Sequence, residues 1–461
     1  MRGVPVAASL AGLFVTTCGA WRPGIKRECE MLILQGRRRA RSLARVGMAA
    51  LLSLAVGAAY LAKIDAAPEA AIAAAPIETI PGMPPVIDAG NLYGEARAGN
   101  FSPAVAGALP RVYVPDRISG DVTVIDPATF KVVGRFQVGV NPQHVVPAWD
   151  LKTLWVVNNA EGRPNGSITP IDPLTGKPGH TIMAEDPYNM YFTPDGRSAI
   201  VVVEAKKQLD FRDPHSMALQ DILPTPQCSG INHADFSIDG RYAIFTCEYD
   251  GGLLKVDMVN RRIAGFLTLS PQGARLHADL PGELDVGFTR VSLQYCLSTG
   301  GMPQDIRISP DGRLFYVADM LADGVYLVDG DSFKEVGFIA TGIGTHGLYP
   351  SRDGTKLYVA NRGAHRVEGP PHGHGSVSVI DFATQQVVAS WPIPGGGSPD
   401  MGNVSADGKY LWLSGRFDNV VYVIDTTTGA MKIIPVGKEP HGLTVWPQPG
   451  RYSLGHTGNM R

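Results

Sequence analysis

Ser309-Pro310-Asp311-Gly312-Arg313-Leu314-Phe315-Tyr316-Val317-Ala318-Asp319, followed after a short loop by Gly324-Val325-Tyr326-Leu327-Val328-Asp329, decides the fold of this 461-residue chain. Asp311-Gly312 supplies a turn, and Leu314, Tyr316 and Ala318 alternate with Phe315 and Val317 as in a strand. Gly324 to Val328 is the next strand, Asp329-Gly330-Asp331 turns again, and Lys334 to Ala340 is a third. A glycine-rich connection, Thr341 to Thr345, then opens the following unit at His346-Gly347-Leu348-Tyr349. The apolar strand that ends in Asp recurs at Asp126, Asp172, Asp213, Asp257, Asp329, Asp381 and Asp425, at intervals of 46, 41, 44, 72, 52 and 44 residues. Four of these intervals are a single period, and the other two are that period plus an insertion. A unit of this size cannot bury its own apolar face and has to stack on copies of itself.

Four strands per unit, repeated seven times, predict an all-β fold: a seven-bladed β-propeller over residues 111–448. The first unit starts at Arg111-Val112-Tyr113-Val114, which is a second strand, and the last ends at His441-Gly442-Leu443-Thr444-Val445, which is a first strand. The C-terminal strand is therefore expected to join the N-terminal blade and remove the two free sheet edges. The Asp at each strand end is read as a turn residue that bonds the following backbone.

The remainder of the chain divides around this body. Residues 1–67 read as a signal or membrane anchor: Arg37-Arg38-Arg39-Ala40-Arg41 and Arg45 precede the uncharged stretch Val46 to Ala62. Its 17 residues are near the lower limit for crossing a bilayer, and Met31 is the better start for a compact signal. Positive-inside logic places the repeats beyond the cytoplasmic membrane: periplasmic, secreted or membrane-tethered. Residues 68–110 are an Ala/Pro-rich linker, and 449–461 a C-terminal tail. A formal net charge of −2, with no basic block in the repeats, gives a nucleic-acid partner no support. The partners left are a membrane, through an uncleaved N-terminal segment, and a protein or small ligand on the propeller.

Tyr358-Val359-Ala360-Asn361, Tyr316-Val317-Ala318-Asp319 and Tyr113-Val114-Pro115-Asp116 resemble the Tyr-Val-Thr-Asn signature of the YVTN β-propeller repeat proteins. Thr345-His346-Gly347 and Pro440-His441-Gly442 resemble the Pro-His-Gly that opens that family's innermost strand. Thr193-Pro194-Asp195-Gly196 matches its turn, as does Ser309 to Gly312. The resemblance covers residues 111–448 and implies the propeller fold. It leaves function open, because the family includes binding proteins, relatives of haem-d1 propellers and lactonase-like enzymes.

Chemistry is expected where inner strands line the channel. Aligned on the turn, the mouth positions are Gln143-His144, Tyr188-Asn189, Asn232-His233, Gln304-Asp305, His346-Gly347, Asp400-Met401 and His441-Gly442. His144, His233, Asp305, His346, Asp400 and His441 are therefore the candidate cofactor-binding residues, and His346 and His441 the candidate metal ligands. Imidazoles and carboxylates on one funnel suit a transition-metal ion or the axial ligation of a haem-like cofactor. The alternative is a polar rim that only bonds neighbouring loops, because adjacent strand residues point opposite ways. Just outside lie Asp116-Arg117, Asn158-Asn159, Glu204, Cys247-Glu248, Asp319, Asn361-Arg362 and Arg416.

Two insertions fall on the same face. About 30 residues between Ser270 and Gly301, with His277 and Cys296, are expected to cover the channel as a lid. Gly363 to Gly375 carries His365 and the pair His372 and His374, a further candidate for copper, nickel or zinc. Cys228, Cys247 and Cys296 suggest one disulfide and a spare thiol in an oxidising compartment. Cys228–Cys296 would anchor the insertion, and a Cys/His metal site with His233 is the alternative. The chain lacks a Cys-x-x-Cys-His haem attachment, a Gly-x-Ser-x-Gly elbow, a phosphate loop and a His-Glu-x-x-His motif. Three readings remain: an extracytoplasmic binding module, an oxidoreductase or lactonase-type enzyme using the same funnel, and an adhesive surface protein.

Overall fold

A computed structural model describes residues 76–161, 163–271, 283–286, 289–292, 301–365 and 374–461. Among the described residues seven antiparallel blade sheets follow one another in chain order, beside a two-stranded hairpin of Glu283–Val286 and Thr289–Ser292. Blade 1 is Thr444–Trp446, Arg111–Asp116, Asp121–Asp126 and Lys131–Gln137, so the C-terminal strand closes the ring as expected. Arg111 pairs with Trp446, Val112 with Val445 and Tyr113 with Thr444. Blade 2 begins at Pro142–Pro147, blade 3 at Pro187–Phe192 and blade 4 at Ile231–Phe236. Blades 5, 6 and 7 begin at Pro303–Ile308, Thr345–Pro350 and Pro399–Val404. The second strands are Leu154–Asn158, Ala199–Val203, Tyr242–Cys247, Leu314–Asp319, Lys356–Asn361 and Tyr410–Gly415, for blades 2 to 7 in order.

Apolar side chains of adjacent blades share clusters. Tyr191, Ile200 and Phe211 of blade 3, for example, pack on Ala234, Phe245 and Leu254 of blade 4. Outer strands are largely exposed, as in Lys131–Gln137, and Arg262–Thr268 alternates exposed with half-buried residues. The repeated Asp is structural. Asp425 accepts from the Thr427 and Thr428 amides at 3.0 and 2.8 Å, and Asp329 from Ser332 at 2.9 Å. Those amide bonds hold the Asp425 carboxyl below its ordinary range. In the Ser309–Gly312 turn, Gly312 has φ +74°, and a Cβ there would strike Ile238 of the neighbouring blade.

The inner strands are irregular where it matters. In blades 2, 4, 5, 6 and 7 the pairing with the second strand slips at Pro142/His144, Ile231/Ala234, Pro303/Ile306, Thr345/Leu348 and Pro399/Gly402. Such bulges re-aim side chains. They release His144, His233, Asp305, His346 and Asp400 from strict alternation.

Both flanking segments join the body. Within the stretch read as a linker, Leu92, Tyr93, Ala96 and Val105 are buried. The Tyr93 hydroxyl donates to the Ile308 carbonyl at 2.7 Å. The C-terminal tail runs along the inner strand of blade 3, where Phe192 donates to Leu454 at 3.0 Å and His456 to Met190 at 2.8 Å. It ends with Arg461 on Asp235 at 2.6 Å, a carboxylate that Asn459 also reaches, at 2.7 Å.

The signal region, most of the 270–301 insertion, Cys296 and His372 lie outside the described residues. Among the described residues no helix is long and apolar enough to cross a membrane.

Candidate functional site

Five histidines gather on the propeller axis: His144, His233, His346, His441 and, from the tail, His456. All are buried. The His144 ring centroid lies 4.8 Å from His441, 5.2 Å from His456 and 5.5 Å from His233. His233 lies 4.6 Å from His456 and 6.4 Å from His346. The bulges thus unite side chains that alternation would send to opposite sides. Gly442 is required beside this cluster, since a Cβ there would collide with the His144 ring.

Two carboxylates organise the rings into triads whose ligand-capable atoms lie within 4.8 Å of one another: His233, Asp305 and His456, and His346, Asp400 and His441. In the first triad, the Asn189 side-chain oxygen accepts from the Met190 amide at 2.8 Å. Its Nδ2 therefore faces the rings, donating to His233 Nδ1 and His456 Nδ1 at 3.1 Å each. Both imidazoles then carry their proton on Nε2, and that of His456 points at Asp305 Oδ1, 3.4 Å away. Asp305 itself clasps blade 5 to blade 6, accepting from Ile306 and Leu348 amides at 2.9 Å each. The Nδ1 lone pairs of this triad are thereby engaged, while His233 Nε2 and His456 Nε2 have no hydrogen-bond partner.

The second triad is different. Arg362 donates to Asp400 Oδ1 at 3.0 Å and to His346 Nε2 at 2.8 Å, while His346 Nδ1 sits 2.9 Å from Asp400 Oδ1. Arg416 approaches Asp400 Oδ2 at 3.7 Å. His441 gives its Nδ1 proton to the Gln143 carbonyl at 3.2 Å, leaving Nε2 at 3.5 Å from Asp400 Oδ2. Neither His441 Nε2 nor Asp400 Oδ2 has a hydrogen-bond partner, and neither ring nitrogen of His144 has one.

Burial first, and then the His456 ring, holds His144 and His233 well below the ordinary imidazole range; burial and the Arg307 charge do the same for His456, and burial and the Arg416 charge for His441. Burial and then Arg362 bring His346 down to about 4. Burial alone would raise Asp400, but Arg362 with His346 and His441 keeps it well below the carboxylate range.

Above the triads opens a cavity of about 280 Å³. Its wall is set by a single repeat position, the residue directly after each second strand. Around the ring from blade 6 these are Arg362, Arg416, Arg117, Asn159, Glu204, Glu248 and Met320. All but Met320 line the cavity, with Tyr188, Tyr249, Gln304 and His346. At that position three consecutive blades present arginine and two others glutamate, while Glu161, paired with Arg117, and Lys207, on the Glu204 turn, also line the cavity. Burial, with the Glu248 and Asp186 charges, raises Glu204 well above its usual range. Burial also raises Glu248, although Gln304 and Asn232 donate to it at 3.0 and 2.9 Å. A disulfide, Cys228–Cys247, braces the loop beside Glu248. This corrects the Cys228–Cys296 pairing weighed from sequence and excludes Cys228 and Cys247 as metal ligands.

His374 is exposed, and His365 binds Asp323 at 2.7 Å, so neither joins the axial cluster. His456 was missed because the tail carries no repeat. Its only signal is that 449–461 holds two charges, Arg451 and Arg461, and alternates Tyr452 and Leu454 like a buried strand.

Residues 277–449 match the YNCE-like beta-propeller family. That match spans the last three blades and the closing strand. No curated protein matches the chain. Among solved structures, Kuenenia stuttgartiensis hydrazine synthase is 18% identical with a TM-score of 0.52, covering 71% of this chain and 94% of that one. The Pseudomonas aeruginosa periplasmic gluconolactonase PpgL is also 18% identical with a TM-score of 0.52, covering 72% and 98%. The dihydro-heme d1 dehydrogenase NirN is 15% identical with a TM-score of 0.50, covering 76% and 77%. At these identities the likeness is one of fold, and the seven-bladed propeller read from the repeats is borne out.

Proposed function

We propose that this chain is an extracytoplasmic binding module whose propeller holds a small polar ligand at the channel mouth, over the His346–Asp400–His441 triad. The observation that carries the reading is the cavity itself, walled at one repeat position by five charged residues and an asparagine from six blades, all buried except the half-buried Glu204. Desolvated charged groups gathered in a cleft concentrate at functional sites. The cavity's volume is at the small end of ligand pockets, which favours a small molecule over a haem-sized cofactor. The disulfide and the basic-then-apolar N-terminal segment support an oxidising compartment. Ala205 is exposed and lines the cavity, so Ala205→Trp fills it without touching the core. A thermal-shift screen of polar metabolites should find ligands that stabilise the wild type and leave Ala205→Trp unmoved. Equal shifts in both proteins, or none in either, would refute the site.

A second reading is a transition-metal ion on His346, Asp400 and His441. It is favoured by His441, whose Nδ1 bond to a carbonyl fixes Nε2 as a ligand facing Asp400. Arg362 opposes it, because His346 must exchange its guanidinium bond for the ion. Titration of metal-stripped protein with Zn²⁺ and Cu²⁺ tests this: His441→Ala should abolish stoichiometric binding. Unchanged binding, or none in the wild type, would sink it.

A further inference from the structure

The last residue of a blade's second strand clasps the third strand through its side chain. In blade 2, Asn158 Nδ2 donates to Ser167 Oγ and Thr169 Oγ1 at 3.3 and 3.2 Å. In blade 6, Asn361 Nδ2 donates to Ser376 Oγ and Ser378 Oγ at 3.1 and 3.0 Å. An amide there meets two hydroxyls, and the clasp is neutral. Blade 1 keeps the register and changes the chemistry. Asp116 stands where the asparagine does, opposite Asp121, with Thr123 at the second hydroxyl position.

Both carboxyls are buried. Thr123 donates to Asp116 Oδ2 at 2.5 Å, and Arg135 approaches Asp121 Oδ2 at 3.6 Å. Oδ1 of each Asp has no hydrogen-bond partner, although the two side chains lie within hydrogen-bonding reach of each other. Two carboxylates repel at that range, whereas a carboxyl donates to a carboxylate. We propose that Asp116 and Asp121 share one proton, and that this proton is a pH-sensitive latch on the closure of the ring.

The pair sits where the chain is sewn shut. Asp116 bridges to Pro440, Arg117 donates to the Glu439 carbonyl at 3.0 Å, and His441 to the Pro115 carbonyl at 3.0 Å. Gly437 lies so close that a Cβ there would strike the Asp116 carboxyl. Loss of the proton sets two like charges in buried contact against the segment that leads into the closing strand. The charged groups around the pair do little to offset this. Arg135, on the third strand, is exposed, and solvent screens it. Arg117 is held by Glu439 and Glu161, Lys438 is exposed, and the His441 ring is turned to the Gln143 carbonyl.

Burial, with the Asp121 carboxyl, raises Asp116 to about 8 against the pull of Thr123 and Arg135. An Asp in the opened chain gives up its proton near pH ~4. Closure therefore takes up a proton between these values and weakens as pH rises through that window, levelling off above it.

Hydrogen exchange of the closing strand, Thr444–Trp446, tests the latch by mass spectrometry. Asp116→Asn is the reference, because asparagine restores the donor of blades 2 and 6 and has no proton to lose. Protection in the wild type, divided by that in Asp116→Asn, should fall about tenfold per pH unit between pH ~5.5 and ~7.5. Over the same range the wild-type infrared spectrum should carry a protonated-carboxyl band that the variant lacks. Should Asp116→Asn fail to fold, the double variant Asp116→Asn, Asp121→Ser, which copies the blade 2 clasp, takes its place. A protection ratio that does not change with pH, or equal carboxyl bands in the two proteins, would overturn the proposal.

Discussion

Replacing His144 with leucine should change how stability responds to acid far more than it changes stability at neutral pH. The ring is fully buried among three other imidazoles and neither nitrogen has a hydrogen-bond partner. Burial keeps its pKa well below that of an imidazole in the unfolded chain, which is about 6.5. The unfolded state therefore takes up a proton that the folded state refuses. Stability from this group is complete above the unfolded pKa and is lost as pH falls below it. By linkage the loss is about 1.4 kcal/mol at pH ~5.5 and about 0.1 kcal/mol or less at pH ~7.5. Leucine has no proton to take up, so the variant's profile should be flatter by about 1.4 kcal/mol between those values. Other titrating groups, including Asp116, which burial raises to about 8, are present in both proteins and cancel in the comparison. Urea unfolding of both proteins at the two pH values, with EDTA present, gives the number. Parallel profiles would mean that His144 is charged or solvated in the native state, and the dry axial cluster would be wrong.

Leu454→Ala should cost about 2–5 kcal/mol in the same assay, the range for a buried leucine, because the tail is packed among inner strands; a loss under about 0.5 kcal/mol would return the tail to solvent. Mutating Cys228 and Cys247 to serine should cost about 3 kcal/mol, the value for closing a loop of this size, given a sequence separation of 19; an unchanged midpoint would deny the pairing. Deleting residues 1–67 should leave a soluble, mainly β protein, while the full chain fractionates with the envelope; recovery of the unprocessed chain in the cytosol would contradict export.

The period, the blade number and the closure are legible from sequence because each follows from strand alternation and a turn residue at a fixed spacing. His346, His441 and Asp400 could be placed together for the same reason, as they occupy one repeat position. Whether His144 and His233 face the same way could not be read, since bulges at Pro142/His144 and Ile231/Ala234 override the two-residue alternation. His456 lies beyond the last repeat and reaches the axis by a path no periodicity encodes. The disulfide depends on the loop that brings Cys228 back beside Cys247, a proximity set in space. Arg362, Arg416, Glu204 and Glu248 were visible as repeat positions, but that they wall one cavity needed the circular order of the blades.

What occupies the mouth of the propeller in its own compartment tests the binding module most directly. Native mass spectrometry of the protein purified from its host's envelope should show one small polar molecule per chain, missing from Ala205→Trp. The same bare mass for both proteins, or a retained molecule in the tryptophan variant, would contradict it.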